Sequence, residues 1–203
     1  MRFRERLSEG ISIKSIVLIA VFAAIAEVLS LFLSFPIPLM PSFVKFDFSL
    51  IPVALAVFLL GPISGMTVVL IKSLLHLLFS TTLGIGTLFD FVISIFFILG
   101  IWGVLAIAKK RTLPWCVISV IVGAIIAGLV SIPLNLYVVY PAYTAMMSMD
   151  KIIASYQKIN PNVSSLPAAL TIFNLPFTFV KFAISGVLGG IVGTKIKSVL
   201  DRI

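Results

Sequence analysis

Residues 49–80 read SLIPVALAVFLLGPISGMTVVLIKSLLHLLFS, and the architecture turns on how this stretch is divided. Lys72 and His76 are its only charged or imidazole side chains, and its middle carries Gly61-Pro62, a pair that ends one helix and opens the next. As one broken span it gives the chain five crossings; as a tight hairpin of two short spans, about 49–61 and 62–80, it gives six. Further apolar runs flank it at about 13–35, 86–108, 115–140 and 166–194, and about 20 apolar residues suffice to cross a bilayer as a helix. The basic residues arbitrate. With a cytoplasmic N-terminus, one side collects ten of them, Arg2, Arg4, Arg6, Lys14, Lys109, Lys110, Arg111, Lys195, Lys197 and Arg202, and the other three, Lys45, Lys151 and Lys158. An odd number of crossings would put the C-terminal cluster on the wrong face. The expectation is an all-α integral membrane protein with six transmembrane helices, both termini cytoplasmic, and a single transmembrane domain over 1–203. Ala24-Ile25-Ala26 behind the basic start imitates a signal-peptidase site, but the apolar run continues to about Phe35 and reads as a retained first helix.

Composition removes most other classes. AVILMFWYC residues make up 61% of the 203 before glycine is counted, against about 45–50% with glycine in a soluble domain. Six crossings take up about 120 residues, which leaves no space for a soluble catalytic domain of ordinary size. Cys116 is the sole cysteine and His76 the sole histidine, so a disulfide framework, a thiolate zinc site and an HExxH helix are all excluded. The net charge of +8 is spread between apolar runs, which argues for membrane orientation and against nucleic acid.

Glu27, Lys72, Asp90 and Lys181 fall inside predicted spans, where each costs about 2.5–3.5 kcal/mol near mid-membrane. Mutual neutralisation between helices and contact with a ligand both answer that cost. In the last span Asn174, Thr178, Lys181 and Ser185 recur at i, i+4, i+7 and i+11, one polar stripe whose donors and acceptors suit the edge of a planar ligand. Ser131 and Asn135 share a face near the outer end of the fifth span, as do Gly86 and Asp90 in the fourth. Lys72 and His76 are also i, i+4; with no second histidine, a structural hydrogen bond is favoured over a proton relay. Gly186, Gly189, Gly190 and Gly193 read as close helix packing, since no strand precedes them and no P-loop motif is present. In the first span Ala20, Ala24 and Glu27 share a face with Ala23 adjacent, a small-residue surface for another helix, internal or from a partner. The segment Phe43-Val44-Lys45-Phe46-Asp47-Phe48-Ser49 interleaves aromatics with charges, and either folds over a flat ligand or anchors at the membrane interface. The long loops at about 36–48 and 141–165 lie on the outer side, which places ligand capture there; no internal repeat is evident.

Several segments in this order resemble the substrate-binding S component of energy-coupling factor (ECF) vitamin transporters, most narrowly the riboflavin-specific one. They are Phe35-Pro36 to Pro41 with Lys45 to Pro52, Phe58-Leu59-Leu60-Gly61-Pro62 with Gly65, Leu70 to His76, and Asn174-Leu175-Pro176-Phe177-Thr178-Phe179-Val180-Lys181. The resemblance implies six helices in a prokaryotic plasma membrane, with the vitamin held near the outer face under a lid made by the first loop. It implies docking through Ala20 and Ala24 on a transmembrane T component that works with two cytoplasmic ATPases, and no catalysis, metal or cofactor on this chain. Taken together with the residues read above, the resemblance leads to an expected substrate-binding set of Lys45, Phe46, Asp47, Asp90, Asn135, Asn174, Thr178 and Lys181, with riboflavin as the transported ligand. Among these, Asn135 and Lys181 match polar flavin-contacting positions and Asn174 matches the Asn of the NxPF segment. Departures are Thr178 for Asn, Leu50 for Asp, Asp90 for Asn and Lys45 for a small polar residue. Lys45 adds a cation at the ribityl end that suits the FMN phosphate.

Three rivals stand beside this reading. One is an S component for a different vitamin. A small intramembrane enzyme built on Asp90, Lys72 and His76 is the second, though no nucleophile or metal motif accompanies them. A purely structural subunit is the third, and it leaves the polar stripe of the last span without a purpose.

Overall fold

The computed structural model describes residues 12–109 and 112–200. Arg2, Arg4, Arg6, Lys110, Arg111 and Arg202, and the side chain of Lys197, lie outside the described residues.

Helix α1 runs Ile13–Phe32, and its first turn is capped by Ser12, whose hydroxyl accepts from the Ser15 N–H at 3.2 Å. Beyond it the chain forms a two-stranded antiparallel ribbon, β1 Phe35–Pro36 with β2 Lys45–Phe46, Phe35 opposite Phe46. The ribbon is short because Pro36, Pro38 and Pro41 remove ladder donors. Two apolar helices follow, α2 Leu50–Leu60 and α3 Pro62–Leu77, divided by Gly61 alone. Gly61 has φ 105° and ψ 174°, a conformation that glycine alone adopts freely, and its N–H closes α2 on the carbonyls of Ala56 and Val57. Pro62 then opens α3 where its missing N–H is no loss. A Cβ on Gly65 would lie 2.3 Å from Val57 Cγ2, so the chain folds back on itself as a hairpin. At 11 and 16 residues, α2 and α3 span about 16 and 24 Å, each less than the hydrocarbon thickness of about 30 Å.

Among the described residues, four stretches are long and apolar enough to cross a membrane: α1, α4 (Ile85–Ala108), and two composite helices of 31 residues each, Leu113–Tyr143 and Leu166–Ile196. The first composite joins α5 (Leu113–Leu134), a π-helical turn at Asn135–Val139 and α6 (Tyr140–Tyr143). The second joins α8 (Leu166–Ala169), a π-helical turn at Leu170–Asn174 and α9, which starts at Leu175 and runs to Leu200. Each π turn is followed, two residues past its end, by a proline, Pro141 and Pro176, which has no N–H to return to the preceding turn. The helix widens instead: Tyr140 N–H reaches the Asn135 carbonyl and Leu175 N–H that of Leu170, both five residues back.

Glycine sets the closest helix approaches. A Cβ on Gly123 of α5 would sit 2.7 Å from the Phe97 carbonyl of α4, and one on Gly189 of α9 would sit 2.7 Å from Ala54 Cβ of α2. The glycines of α9 are therefore a packing surface, as their spacing suggests. Gly123→Leu is expected to force α4 and α5 apart and to destabilise the protein by about 1–3 kcal/mol or more, read as a fall in the detergent melting temperature. The main core lies between these helices, around Phe97, Ile98, Val120, Ala124 and Phe182. A second, smaller cluster caps one end: α7 (Met149–Gln157), expected as loop because no long apolar run marks it, packs Ile152 and Tyr156 against Tyr140, Val163, Leu166 and Leu170.

Candidate ligand-binding site

Between α1, α3, α4, the two π turns and α9 lies a cavity of about 310 Å³, roofed by the ribbon segment between α1 and α2. Its size is at the lower end of the range for small-molecule sites, about 300–1,000 Å³.

The deep wall is a ring of four charges. Lys181 Nζ donates to Asp47 Oδ2 at 2.7 Å and lies 3.5 Å from Asp90 Oδ1. Lys72 Nζ donates to Asp90 Oδ2 at 2.6 Å and to Ser49 Oγ at 2.7 Å, and the Ser49 N–H closes on Asp47 Oδ1 at 2.9 Å. Two cations thus meet two anions, and the ring is neutral. Burial by itself would raise the Asp47 carboxyl, but the charges of Lys181 and Lys72, with hydrogen bonds from Lys181 and Ser49, outweigh it and hold the group well below the ordinary carboxylate range. Asp90 is the counter-ion of both lysines, whereas Glu27 pairs with neither. Glu27 Oε1 stands 2.9 Å from His76 Nδ1, so the lone histidine has a specific hydrogen-bond partner.

The ring also fastens the roof. Asp47 and Ser49 belong to the segment that joins β2 to α2, so their bonds to Lys181 and Lys72 hold this segment down on α9 and α3. Beside them Phe46 packs edge-on to Phe177 of α9 with centroids 6.3 Å apart, and against Phe35 and Phe48. Phe46 is accordingly an anchor behind the roof and is not among the residues lining the cavity, where Phe43, Phe79, Phe89, Phe177 and Phe182 supply the aromatic surface. Lys45 lines the mouth and is exposed.

The π turns bring in the two asparagines. Asn174 lines the cavity, but its amide is held by tyrosines: Tyr156 donates to Asn174 Oδ1 at 2.6 Å, Asn174 Nδ2 donates to Tyr140 Oη at 3.3 Å, and the two tyrosine hydroxyls bond each other. Burial raises the Tyr156 hydroxyl above its usual value, which keeps it a donor. Asn135 lines the cavity with its Nδ2 buried and unpartnered among the described residues, and so does Thr87 with its hydroxyl. Buried donors without partners cost about 1–3 kcal/mol each, which a ligand or water filling the cavity would relieve. Of the polar stripe, Asn174, Thr178 and Lys181 reach the cavity, while Ser185 lies fully buried beyond it, its hydroxyl unpartnered among the described residues.

The structure therefore gathers Lys45, Asp47, Asp90, Asn135, Asn174, Thr178 and Lys181 around one space and leaves Phe46 behind it. Ala20 and Ala24 lie elsewhere, exposed on the outer side of α1 among Val17, Val21, Ile25 and Val28. Glu27 does not share that surface; it is buried with Ala23 and Ala26 on the inward side. Sequence reasoning missed Tyr140, Tyr143, Tyr156 and Thr87. The only trace of the tyrosines is their position before or within the segment assigned to an outer loop.

Residues 14–192 match the model of the family described as ECF transporter, substrate-specific component, and the chain belongs to that family. It is a transporter component, not an enzyme, and a multi-pass protein of the bacterial plasma membrane. Among its relatives, the riboflavin transporter RibU of Staphylococcus aureus (strain TCH60) is 28% identical over 190 residues, covering 94% of each chain. The riboflavin transporter FmnP of Bacillus subtilis (strain 168) is 25% identical, covering 94% of this chain and 95% of the relative. RibU of Lactococcus lactis subsp. cremoris (strain NZ9000) is 31% identical, covering 91% and 93%. The fold is similar to that of a solved structure, the S component of a bacterial ECF transporter, with a TM-score of 0.71 and 27% identity over 92% of this chain and 97% of that one.

Proposed function

We propose that this chain is the riboflavin-binding subunit of an ECF importer: one transmembrane substrate-binding domain that captures the vitamin at the outer face and delivers it with a T component and two cytoplasmic ATPases. The observation that carries the reading is the cavity itself, a space with aromatic walls, a neutral set of fixed charges and two buried donors, Asn135 Nδ2 and the Thr87 hydroxyl, without partners among the described residues. A flavin offers a flat apolar body, carbonyl acceptors at one edge and a hydroxylated tail, a match to each of these features. Lys181 and Thr178 are assigned to the polar edge, and Lys45, Asn135 and Asp90 to the ribityl hydroxyls.

The hairpin at Gly61 supports six crossings with both ends cytoplasmic. Lys14, Lys109 and Lys195 then fall on the side opposite Lys45, Lys151 and Lys158, as the basic-residue asymmetry requires. The exposed Ala20 and Ala24 give α1 a shallow surface on which a T-component helix can lie close. FMN enters the same site with its phosphate at Lys45. Lys45→Ala is expected to weaken FMN binding several-fold more than it weakens riboflavin binding; equal FMN affinity in the variant, or an equal loss for both flavins, removes the phosphate assignment.

The function is tested by reconstituting the chain in proteoliposomes with its T component and ATPases and following labelled riboflavin. ATP-dependent accumulation that is lost without this chain is expected. Accumulation that proceeds equally without it, or that selects a different vitamin, contradicts the reading.

A further inference from the structure

A hydroxyl on a helix ordinarily returns to the carbonyl three or four residues back. Thr67, Ser119, Ser131 and Thr171 all do so, at 2.6–2.9 Å. Thr87, in the first turn of α4, does not: its hydroxyl is buried with no partner among the described residues. The residues three and four positions back are Gly84 and Leu83, which stand in left-handed conformations with φ 79° and 52° where a preceding helical turn would be, and the Gly84 carbonyl already accepts from the Leu88 N–H at 2.9 Å.

Five buried side-chain polar atoms lack a partner among the described residues, on Glu27, Thr87, Ser94, Asn135 and Ser185. Of these five residues, Thr87 and Asn135 alone line the cavity, at 7% and 3% exposure. The π turn that carries Asn135 packs against α4, so the two groups belong to one side of the space.

Their position selects the part of the ligand they meet. Thr87 and Asp90 are three residues apart on one face of α4, with Thr87 a turn nearer the start of the helix. Asp90 belongs to the charge ring with Lys181, to which the polar edge of the isoalloxazine is assigned. The start of α4 follows Ser80, Thr81 and Thr82, which line the wall with hydroxyls. A chain that leaves the isoalloxazine and runs past Asp90 away from the deep wall therefore meets Thr87 and Asn135.

We propose that Thr87 and Asn135 form a polyol subsite, in which the Thr87 hydroxyl makes the protein favour a flavin with a hydroxylated chain over one without it. The proposal rests on the flavin reading above. A ligand hydroxyl both donates and accepts, so it serves the Thr87 hydroxyl in either direction and the Asn135 amide by either of its ends. Rotation about χ1 exchanges the hydroxyl and methyl positions of a helical threonine, which lets the hydroxyl follow the ligand.

Thr87→Val removes the hydroxyl and nearly keeps the shape. Since the hydroxyl has no protein partner to lose, the ligand-free full-length variant in detergent is expected to melt no lower than the wild type. A fall of several degrees assigns the hydroxyl a structural bond and overturns the proposal. In fluorescence titrations the variant is expected to bind riboflavin about three-fold to ten-fold more weakly, the effect of one lost hydrogen bond. Lumiflavin, which carries a methyl group in place of the ribityl chain, is expected to bind the variant and the wild type alike, and Thr87→Ser to keep riboflavin binding close to that of the wild type. Equal loss for both flavins in Thr87→Val, or no loss for either, overturns the subsite while the flavin reading stands. Wild-type protein that binds neither flavin overturns the flavin reading and the subsite with it, so the wild-type titration tells the two failures apart.

Discussion

Lys181→Met is expected to abolish measurable riboflavin binding and to lower the stability of the protein by about 3–5 kcal/mol, the range for removing one partner of a buried ion pair. The side chain does two things at once. Its Nζ holds the roof through Asp47 at 2.7 Å, and it shares Asp90 with Lys72 at 3.5 Å, so its loss leaves the ring with one cation against two carboxylates. The two effects separate in a double variant. Adding Asp47→Asn to Lys181→Met removes the surplus negative charge, and a large part of the lost melting temperature should return. Binding should not return, because the donor at the ligand's polar edge is still missing. Recovery of both together would mean that Lys181 acts only as a structural counter-ion.

The second large effect concerns the roof. Asp47→Asn keeps an acceptor for the Ser49 N–H but loses the charge pair with Lys181, and the Lys72–Ser49 bond and Phe46 packed on Phe177 then remain as anchors. Riboflavin dissociation is expected to accelerate by at least about ten-fold, with association changed less, since a loosened roof lets a bound ligand leave. The pH dependence has a definite sign. The Asp47 carboxyl is held below its ordinary value in the folded protein, so the stabilisation it gives is fully present above the unfolded value of about 3.9 and is lost only as pH falls below that, toward the folded one. The roof latch should therefore be insensitive to pH between 5 and 8 and should weaken in strong acid. Stopped-flow dissociation rates at pH 5, 7 and 8 in wild type and Asp47→Asn check this; a wild-type rate that approaches the variant's already at pH 5 would sink the latch.

The helical fold and part of the cavity's lining could be read from the sequence because bilayer physics writes them in long signals. Gly61-Pro62 predicted a helix break with no room for a loop, and the structure has one glycine at φ 105° between two helices. The stripe Asn174, Thr178, Lys181 survives as a cavity wall because helical periodicity is a local property. Non-local pairings were harder. Four intramembrane charges announce that partners exist, yet only the tertiary arrangement shows that Asp47, from a loop, neutralises Lys181 and that Glu27 turns inward to His76. Phe46 illustrates the same limit: an aromatic in a roof segment can face the ligand or the scaffold, and here its ring packs against Phe177. The π turns were not legible either. A proline inside a span signals a distortion, but Pro133, Pro141 and Pro176 do not state whether the helix kinks or widens, and it is the widening that accompanies Asn135 and Asn174 at the cavity. The tyrosine network around Asn174 depends on α7, whose nine residues form too short and too interrupted an apolar run to mark a span.

The central claim is that the space between the roof and the charge ring is a flavin site. The most direct measurement is a titration of the purified full-length chain, freed of endogenous ligand, with riboflavin while flavin fluorescence is followed. Saturable quenching at one flavin per chain is expected, competed by unlabelled flavins, tight in the wild type and absent in Lys181→Met that retains its helical circular dichroism. Unquenched fluorescence in a folded wild-type sample, or binding that survives unaltered in the folded Lys181→Met variant, would contradict that claim.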